Sequence, residues 1–432
     1  MGYAADLHLH SPYAYACSKY LTLENLTAWA KLKGIDLLAC GDFTHPVWLG
    51  ELRRKLRPAG SGLYWFNGVH FVLGTEVCCV YPQGGRSRRV HLLLFAPDFD
   101  AVDRFNRALA AGKNKLESNG RPILGLSARD FTALALETNP GCMVIPAHVW
   151  TPWFGVFGSK SGFDSLEECF RDLTPEIHAL ETGLSSDPAT FWPIRELDQK
   201  TIVSFSDAHS PPKLGRELTV LEGEFSYHGL AEALARQRVA YTAEFYPQEG
   251  KYHYDGHRKC GVRQAPEDTH RLGSRCPVCR RPLTLGVLNR AQSMATGSRE
   301  TAHVSDVSDV SGGFVRHHGS RPPFIRLAPL QEIIAETLGQ GPSTNRVQAE
   351  YRRISQELGN ELQVLTSSTA ADLKQVARER LAQAVMKARI GDVQIDPGYD
   401  GVYGKVRVWP GQPRRPSNSR SKLKAGRGAF SA

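Results

Sequence analysis

The sequence predicts an α/β protein that begins with a seven-stranded β/α barrel and continues with a small zinc-binding module and a C-terminal helical domain. In the first half, apolar strand-like runs alternate with stretches of helical periodicity. Histidines and acids stand at the ends of those runs, which is where a β/α barrel carries its active site. A Cys-Pro-x-Cys pair follows well after the last run. The length of 432 residues also exceeds that of one ordinary domain.

Seven apolar runs are the expected barrel strands. They span about 3–8, 35–40, 71–77, 90–96, 142–147, 176–181 and 201–206. Helical periodicity occurs between most of them, for example at 23–33, 47–57, 163–173 and 188–199, and a closing helix is predicted at 227–238. The strand-then-helix order favours a parallel sheet. A barrel fits better than an open doubly wound sheet, because polar residues follow nearly every strand rather than one switch point.

Side chains of metal-ligand type stand at or near the ends of these runs. They are Asp6, His8, His10, Asp42, His45, Glu76, His91, His148, Glu181, Asp207 and His209. Residues two apart in a strand point the same way, so His8 and His10 are expected to project together. Any one of these residues alone could be a cap or a hydrogen-bonded loop residue. Together, imidazoles and carboxylates that converge from several strands predict a multinuclear metal site.

The motifs around these residues resemble those of the PHP (polymerase and histidinol phosphatase) phosphoesterases. The matching segments are Asp-Leu-His-Leu-His-Ser at 6–11, Gly-Asp-Phe-Thr-His-Pro at 41–46, Gly-Thr-Glu-Val at 74–77, the His91 strand, Pro-Ala-His-Val at 146–149 and Ser-Asp-Ala-His at 206–209. The resemblance covers residues 1 to about 240 and implies a distorted seven-stranded barrel with two or three metal ions.

By matching motif, the resemblance also implies which residues hold each ion. The first ion would be held by His8, His10, Glu76 and Asp207, and the second by Glu76, His91 and His148, with Glu76 shared. A third would be held by His209 with either Asp42 or His45. Many PHP proteins carry a further histidine shortly after the first motif, where this sequence has Tyr-Ala-Tyr-Ala-Cys at 13–17.

A separate cysteine cluster follows the barrel. Cys260 precedes Cys276-Pro-Val-Cys279, and Cys-Pro-x-Cys is a common knuckle for tetrahedral zinc. The fourth ligand is expected to be His257, three residues before Cys260, with His253 as the alternative. Such a small module buries little core, so we expect its metal to fold it.

Charge is divided unevenly along the chain. Residues 1–245 hold 24 Lys and Arg against 27 Asp and Glu, a net of −3, whereas residues 246–432 hold 29 against 17, a net of +12. A basic second half is what a polyanion-binding surface requires. We expect a metallo-phosphoesterase barrel at 1–245, the zinc module at 246–298, a low-complexity linker or insertion at 299–322, a helical domain at 323–410 and a basic disordered tail at 411–432.

The order of these parts, with the segments 151–159, 181–188 and 249–260, resembles the endonuclease Q family over about 1–300 and 321–410. The resemblance implies a DNA repair endonuclease that hydrolyses the phosphodiester 5′ to hypoxanthine, uracil, xanthine or an abasic site. Metal-activated water would leave a 3′-hydroxyl and a 5′-phosphate. The expected catalytic residues are Asp207, Glu76 and His148, and the expected substrate contacts are Trp150, Trp153, Phe154, Glu181, Lys251, Tyr252, Arg258 and Lys259.

The expected cofactors are zinc, with two or three ions in the barrel and one structural ion, and Mg²⁺ or Mn²⁺ for activity. The expected partners are double- or single-stranded DNA with deaminated bases and a replication or repair protein. With no apolar run of membrane length, we expect a cytoplasmic, nucleoid-associated protein. Two other classes stay open. The basic second half speaks against a PHP-type small-molecule phosphoesterase, and the complete ligand set speaks against a non-catalytic DNA-binding adaptor.

Overall fold

The computed structural model describes residues 2–112, 114–296, 307–317 and 319–411. Residues 412–432 of the predicted basic tail, and residues 299–306 of the predicted linker, lie outside the described residues. Among the residues that are described, no helix is both long enough and apolar enough to cross a membrane.

Strands and helices alternate through the first half, and helices predominate near the C-terminus. The strands are β1 (Gly2–Asp6), β2 (Leu37–Ala39), β3 (Arg57–Pro58), β4 (Tyr64–Phe66), β5 (Val69–Gln83), β6 (Arg86–Ala96), β7 (Ile123–Leu124), β8 (Met143–Pro146), β9 (Ala179–Glu181), β10 (Thr201–Val203), β11 (Leu218–Glu222), β12 (Val239–Glu244), β13 (Asp255–His257), β14 (Val262–Gln264), β15 (Val307–Ser311), β16 (Phe314–His317), β17 (Phe324–Arg326), β18 (Gln394–Asp396) and β19 (Lys405–Arg407). The α-helices are α1 (Leu23–Lys33), α2 (Pro46–Lys55), α3 (Phe99–Ala111), α4 (Ala128–Thr138), α5 (Leu166–Phe170), α6 (Tyr227–Ala235), α7 (Pro266–Leu272), α8 (Val287–Thr296), α9 (Leu330–Leu338), α10 (Asn345–Glu357), α11 (Glu361–Thr366), α12 (Ala370–Val376) and α13 (Glu379–Arg389).

Seven strands form the predicted barrel: β1, β2, β5, β6, β8, β9 and β10. β1, β2 and β5 pair in parallel, and β9 and β10 form a separate parallel pair. Short backbone contacts close the ring on both sides of that pair. Val149 N donates to Glu181 O (3.1 Å) after β8, and a bridge joins Leu9 to Ala208 beyond β1 and β10. The distorted seven-stranded barrel is therefore confirmed, and its distortion lies in these short closures.

One side of the barrel is antiparallel, unlike the parallel sheet expected from the strand-then-helix order. β5 pairs with β6 along the whole of β6, from Leu73 opposite Ala96 to Gln83 opposite Arg86. The connection is the pair Gly84-Gly85, with φ of 61° and 72°. Two consecutive left-handed residues form the tight turn whose twist suits a hairpin, and glycine adopts them without strain. β6 then pairs antiparallel with β8.

Further strands widen the sheet beyond the barrel. β11 pairs antiparallel with β1 and with β12, and neither β11 nor β12 was expected from the sequence. β12 pairs in parallel with β17, to which the hairpin of β15 and β16 is added. The described part of the predicted linker therefore belongs to the edge of the central sheet.

The predicted helix at 188–199 is replaced by two short 3-10 helices, Pro188–Thr190 and Arg195–Leu197. Pro193 lies between them. Proline lacks a backbone N–H and its ring collides with the preceding turn, so it interrupts an α-helix here.

Apolar side chains from the strands fill the barrel beneath its carboxyl-terminal mouth. Leu7, Ala39, Val72, Ile145 and Val203 are each at most 1% exposed and belong to one cluster. Such a packed interior leaves polar side chains to gather at the mouth, where the strands end.

The C-terminal helical domain packs on the barrel through α1. The ring of Trp29 stacks on Tyr351 of α10, with centroids 5.8 Å apart. Lys33, at the end of α1, forms a buried ion pair with Glu361 of α11, with Nζ and Oε2 2.6 Å apart. An apolar stack and a desolvated ion pair together anchor these helices to the barrel.

Candidate metal centres at the barrel mouth

The first group of candidate ligands gathers around the ends of β1 and β10. His8 and His10 follow β1, Glu76 lies within β5, and Asp207 follows β10. One ligand atom from each lies within 4.8 Å of the others. Glu76 Oε2 is 3.4 Å from His8 Nε2 and 3.3 Å from His10 Nε2, and Asp207 Oδ1 is 3.1 Å from His10 Nε2. These donor types at this spacing can hold one divalent ion.

The second group lies on the other side of the same carboxylate. Glu76 Oε1 is 2.6 Å from His91 Nδ1 and 3.3 Å from His148 Nε2, and the ligand atoms of the three residues lie within 4.8 Å of one another. His91 projects from within β6, and His148 follows β8. The two oxygens of Glu76 therefore face two different sets of imidazoles.

The orientation of His8 fits a metal ligand. Its Nδ1 contacts Glu181, whereas its buried Nε2 makes no hydrogen bond within the described ranges and points toward Glu76 and Asp207. A buried ring nitrogen without a hydrogen bond is costly unless another partner takes it. A divalent ion among these residues would be such a partner.

The protonation states of two candidate ligands, an ionised Glu76 and a neutral His91, favour the binding of a metal cation. Burial alone would raise the pKa of Glu76, but His91, Arg121 and His8 hold it well below its usual value. Burial lowers the pKa of His91 to about 4, so its imidazole is neutral near pH 7. Burial also opposes charge on His10, but neighbouring carboxylates raise its pKa to about 9. Metal binding at His10 would therefore release a proton.

Glu181 stands behind both groups. Its two oxygens lie 2.9 and 3.0 Å from His8 Nδ1, and Oε2 accepts a hydrogen bond from the backbone N–H of His148 at 2.6 Å. Glu181 is 0% exposed. Substrate cannot reach it in this conformation, so its predicted role as a substrate contact is corrected. A carboxylate in this position fixes the tautomer and ring orientation of a ligating histidine.

The two alternatives for a third ion take different positions, and neither joins the groups above within the described residues. Asp42 Oδ1 is 3.2 Å from His10 Nδ1, and Oδ2 accepts a hydrogen bond from Ser11 N at 2.6 Å. It supports His10 as Glu181 supports His8. His45 points away from both ligand groups, because its Nε2 lies 3.1 Å from Glu117 O and its ring stacks on that of Tyr13.

His209 lies at the rim. Its side chain is 36% exposed, its ring centroid is 4.8 Å from that of His10, and its Nδ1 is 2.9 Å from Asp207 O. It is also outside both groups in the described part of the chain. Within the described ranges, His209 therefore lies at the mouth without a group of ligand atoms that would hold the predicted third ion.

Backbone strain coincides with the strand ends that carry the cluster. Asp42, His148 and Asp207 have φ of 48°, 31° and 46°. Residues other than glycine rarely adopt this left-handed region, and such conformations gather at functional sites. At His148 the neighbouring chain must also be small, because a Cβ on Gly183 would lie 2.4 Å from His148 Cβ. The surrounding fold thus keeps these three residues in a strained backbone conformation that sets the direction of their side chains.

The predicted zinc ligands converge in the module after the barrel. The ligand atoms of His257, Cys260, Cys276 and Cys279 lie within 4.8 Å of one another. Cys276 N donates to Arg281 O and Arg280 N to Cys276 O, which forms the knuckle. His253 is outside this group, since it is buried with its Nδ1 3.2 Å from Ser185 O.

The module is fixed beside the barrel mouth by the loop after His148. Arg290 of α8 donates to Phe157 O (2.9 Å) and Phe163 O (2.8 Å), and Ser159 Oγ donates to Leu285 O (2.8 Å). Residues 157–163 and the zinc module therefore share one interface.

The aromatic residues of that loop divide into core and surface. Trp150 is 1% exposed and packs against the rings of Phe157 and Phe191, so its predicted substrate contact is corrected. Trp153 is half-buried, with its ring 6.0 Å from that of Tyr252. Phe154 lies over His91, with ring centroids 4.6 Å apart.

The predicted basic contacts lie on the zinc module. Arg258 and Lys259 are exposed, and Lys251 and Tyr252 are half-buried. Lys251 Nζ lies over the ring of Tyr403, 4.7 Å from its centroid. All four side chains are at least partly exposed, and the ring of Tyr252 lies beside that of Trp153.

Two arginines at the cluster were not predicted from the sequence. Arg121 Nη1 lies 3.0 Å from Glu76 Oε2. Arg216 Nε donates to Ser206 O, and its Nη2 donates to Asp207 O. Both are in loops without periodicity or a recognised motif, so no local signal distinguished them from other arginines.

Comparison with known proteins identifies similar chains over almost the whole length. The profile of the MJ0043 C-terminal domain matches residues 329–392. The uncharacterized protein YqxK of Bacillus subtilis is 27% identical over 424 residues, which cover 93% of this chain and 98% of YqxK. The uncharacterized protein MJ0043 of Methanocaldococcus jannaschii is 30% identical over 269 residues, 60% of this chain; the matched region is 31% of MJ0043.

Two solved structures share the full architecture. The lesion-specific endonuclease PfuEndoQ from Pyrococcus furiosus is 32% identical with a TM-score of 0.79, covering 94% of this chain and 95% of that one. Endonuclease Q bound to a 27-mer duplex with an abasic lesion at the active site is also 32% identical, with a TM-score of 0.81, covering 95% and 97%.

Proposed function

Because the chain belongs to the endonuclease Q family, we propose that it is a repair enzyme that cuts DNA 5′ to a deaminated base or an abasic site. The chain is a metal-dependent DNA endonuclease. The proposed bases are hypoxanthine, uracil and xanthine, and the proposed products carry a 3′-hydroxyl and a 5′-phosphate. The lesion-specific relative and the complex with an abasic duplex support a damaged DNA substrate.

The observation that carries the proposal is the position of Glu76 between two sets of ligand atoms. A carboxylate shared in this way is suited to bridging two ions. When bound, divalent ions would neutralise a phosphodiester, stabilise its leaving oxygen and lower the pKa of water, so that hydroxide is available to attack phosphorus. The mixture of nitrogen and oxygen donors suits zinc or manganese in the barrel, and the three cysteines suit zinc in the module.

Substrate would approach from the side of Asp207. The Asp207 side chain is 25% exposed and that of His148 is 11% exposed, whereas those of His8, His10 and Glu76 are at most 1% exposed. Asp207 and His148 would therefore hold the ions on the face that meets the phosphodiester. The histidines behind them would keep the ions in place, with Glu181 and Asp42 fixing their tautomers.

The lesion would be recognised beside this face. A damaged base must leave the stack to be read, and the cost is lowest where pairing is weak. Phe154 and Trp153 lie between the second ligand group and the zinc module, and an aromatic ring can stack on an extruded base. Lys251, Tyr252, Arg258 and Lys259 would contact the duplex nearby, in line with the basic second half of the chain.

We also propose that the domains predicted from the sequence have separate functions. The barrel at 1–245 would carry catalysis, and the module at 246–298 with the helical domain at 323–410 would bind DNA. A replication or repair protein that recruits the enzyme remains a prediction.

The test is a denaturing-gel assay on duplexes in which one labelled strand carries inosine, uracil, an abasic site or no lesion. With Mg²⁺ or Mn²⁺ we expect a single nick on the 5′ side of each lesion and none in the undamaged strand or with chelator. Asp207→Asn should abolish the nick but retain DNA binding. Asp172→Asn is the matched control, since it makes the same chemical change at an exposed ion pair with Arg129.

The same assay addresses lesion recognition. Phe154→Ala should narrow the difference in rate between inosine-bearing and normal DNA while metal content stays unchanged. Release of phosphate from a small phosphomonoester, with no nick under any metal, would contradict the proposed function.

A further inference from the structure

Arg121 holds its guanidinium at the centre of the candidate site. Nη1 lies 3.0 Å from Glu76 Oε2, the oxygen that faces the first ligand group. The side chain is 22% exposed, so it reaches both the buried carboxylate and the open mouth. The guanidinium of arginine is charged at any working pH.

The loop that carries Arg121 is fixed to the strand-end segments of the barrel. Gly120 N donates to Tyr13 O (3.0 Å), and the Asn119 side chain accepts from Arg121 N (3.3 Å). A Cβ on Gly120 would lie 2.5 Å from Asp42 Oδ2, so the loop can approach this closely because residue 120 is glycine. The loop therefore holds the guanidinium in place at the site, and its contact with Glu76 is not that of a freely moving surface side chain.

In the structure the guanidinium of Arg121 is paired with the carboxylate of Glu76. Ions held by the two ligand groups would compensate the charge of Glu76, so Glu76 would stabilise the guanidinium less. It is then best stabilised by another anion at the mouth. The planar fork of arginine matches phosphate oxygens in geometry and charge.

We propose that Arg121 contacts the non-bridging oxygens of the scissile phosphate, turning from Glu76 to the substrate when the site is loaded with metal. This inference rests on the proposed function and adds a catalytic residue to it. Arg121 stabilises the negative charge that develops on the phosphate oxygens in the transition state, and it orients the phosphodiester at the candidate site. The competing role is a positioning residue that only holds Glu76 for the ions.

The test compares Arg121→Ala and Arg121→Lys with wild type, and Arg129→Ala is the matched control because it removes an arginine paired with an exposed aspartate. Bound Mn²⁺ per chain is measured first. Inorganic phosphate is then titrated into the Mn²⁺-loaded proteins by calorimetry, and kcat and KM are determined on the abasic duplex.

For Arg121→Ala we expect unchanged Mn²⁺ content, phosphate binding weaker by about tenfold or more, and kcat lower by about 100-fold. Arg121→Lys should restore part of the phosphate affinity but little of kcat, because an ammonium lacks the fork. Arg129→Ala should match wild type in all three measurements.

Wild-type phosphate affinity in both Arg121 variants would overturn the inference. So would loss of Mn²⁺ from Arg121→Ala with normal kcat per metal-loaded chain, since that result assigns Arg121 to holding Glu76. The proposed function fails separately, if wild-type protein does not nick the lesion duplex. The phosphate titration does not use that substrate, so it still decides whether Arg121 binds phosphate.

Discussion

Replacing Glu181 by Gln should weaken metal binding in the barrel, although the two side chains have nearly the same size and shape. In the structure both oxygens of Glu181 serve as acceptors, toward His8 Nδ1 (2.9 and 3.0 Å) and the backbone N–H of His148 (2.6 Å). Glutamine has one oxygen and one NH₂ group. If its oxygen accepts from His148 N, its NH₂ faces His8 Nδ1 and favours the tautomer with the proton on Nε2.

In that tautomer the Nε2 of His8 can no longer act as a metal ligand. His8 Nε2 points into the first group, and a protonated nitrogen cannot bind a cation. If the amide turns instead, its NH₂ collides with the His148 N–H. Loss of a carboxylate behind a ligating histidine costs about 10- to 100-fold in metal affinity or activity, or ~1.4–2.7 kcal/mol. Because Glu181 contacts a residue of each group, we expect the upper part of that range.

The assay is a Mn²⁺ titration followed by electron paramagnetic resonance of the free ion, because cysteine thiolates in the zinc module select softer metals. Glu244→Gln is the control. Glu244 is also fully buried, but among the described residues it accepts hydrogen bonds from Ser204 and Thr242 and pairs with no candidate ligand of the barrel site. A wild-type Mn²⁺ affinity in Glu181→Gln would refute the inferred role of Glu181.

Two further predictions concern stability. Lys33→Met removes one partner of a buried ion pair (2.6 Å) and leaves the charge of Glu361 uncompensated. Urea denaturation should therefore show a free energy of unfolding lower by about 3–5 kcal/mol. A decrease below about 1 kcal/mol would show that the pair does not hold the helical domain on the barrel. Burial raises the pKa of Glu244 to about 8, so its contribution is fully present below the unfolded value near 4.5 and is lost as pH rises through about 8. The melting temperature of wild type should therefore fall between about pH 5 and pH 8, and that of Glu244→Gln should fall less over the same range; equal slopes would contradict the assignment.

The sequence by itself determined the strands of the barrel and the residues at their ends. Runs of apolar residues and the polar residue that follows each run are local features, so His8, Glu76, His148 and Asp207 could be recognised without knowing their neighbours. Their common location follows from a rule of β/α architecture, in which strand ends meet at one face. The module's His257 and three cysteines were recognisable for the same reason, since knuckle spacing is a property of short segments.

Only the tertiary structure decided which polar residues face the ions and which stand behind them. Glu181 and Asp42 look like further ligands in the sequence, yet each contacts the Nδ1 of a histidine, because strand closure places them on the outer side of those rings. The antiparallel hairpin of β5 and β6 and the approach of Arg121 to Glu76 depend on pairings between segments distant in sequence. Hydrophobic periodicity encodes how each segment folds, whereas the partner across a barrel depends on the closure of the whole ring.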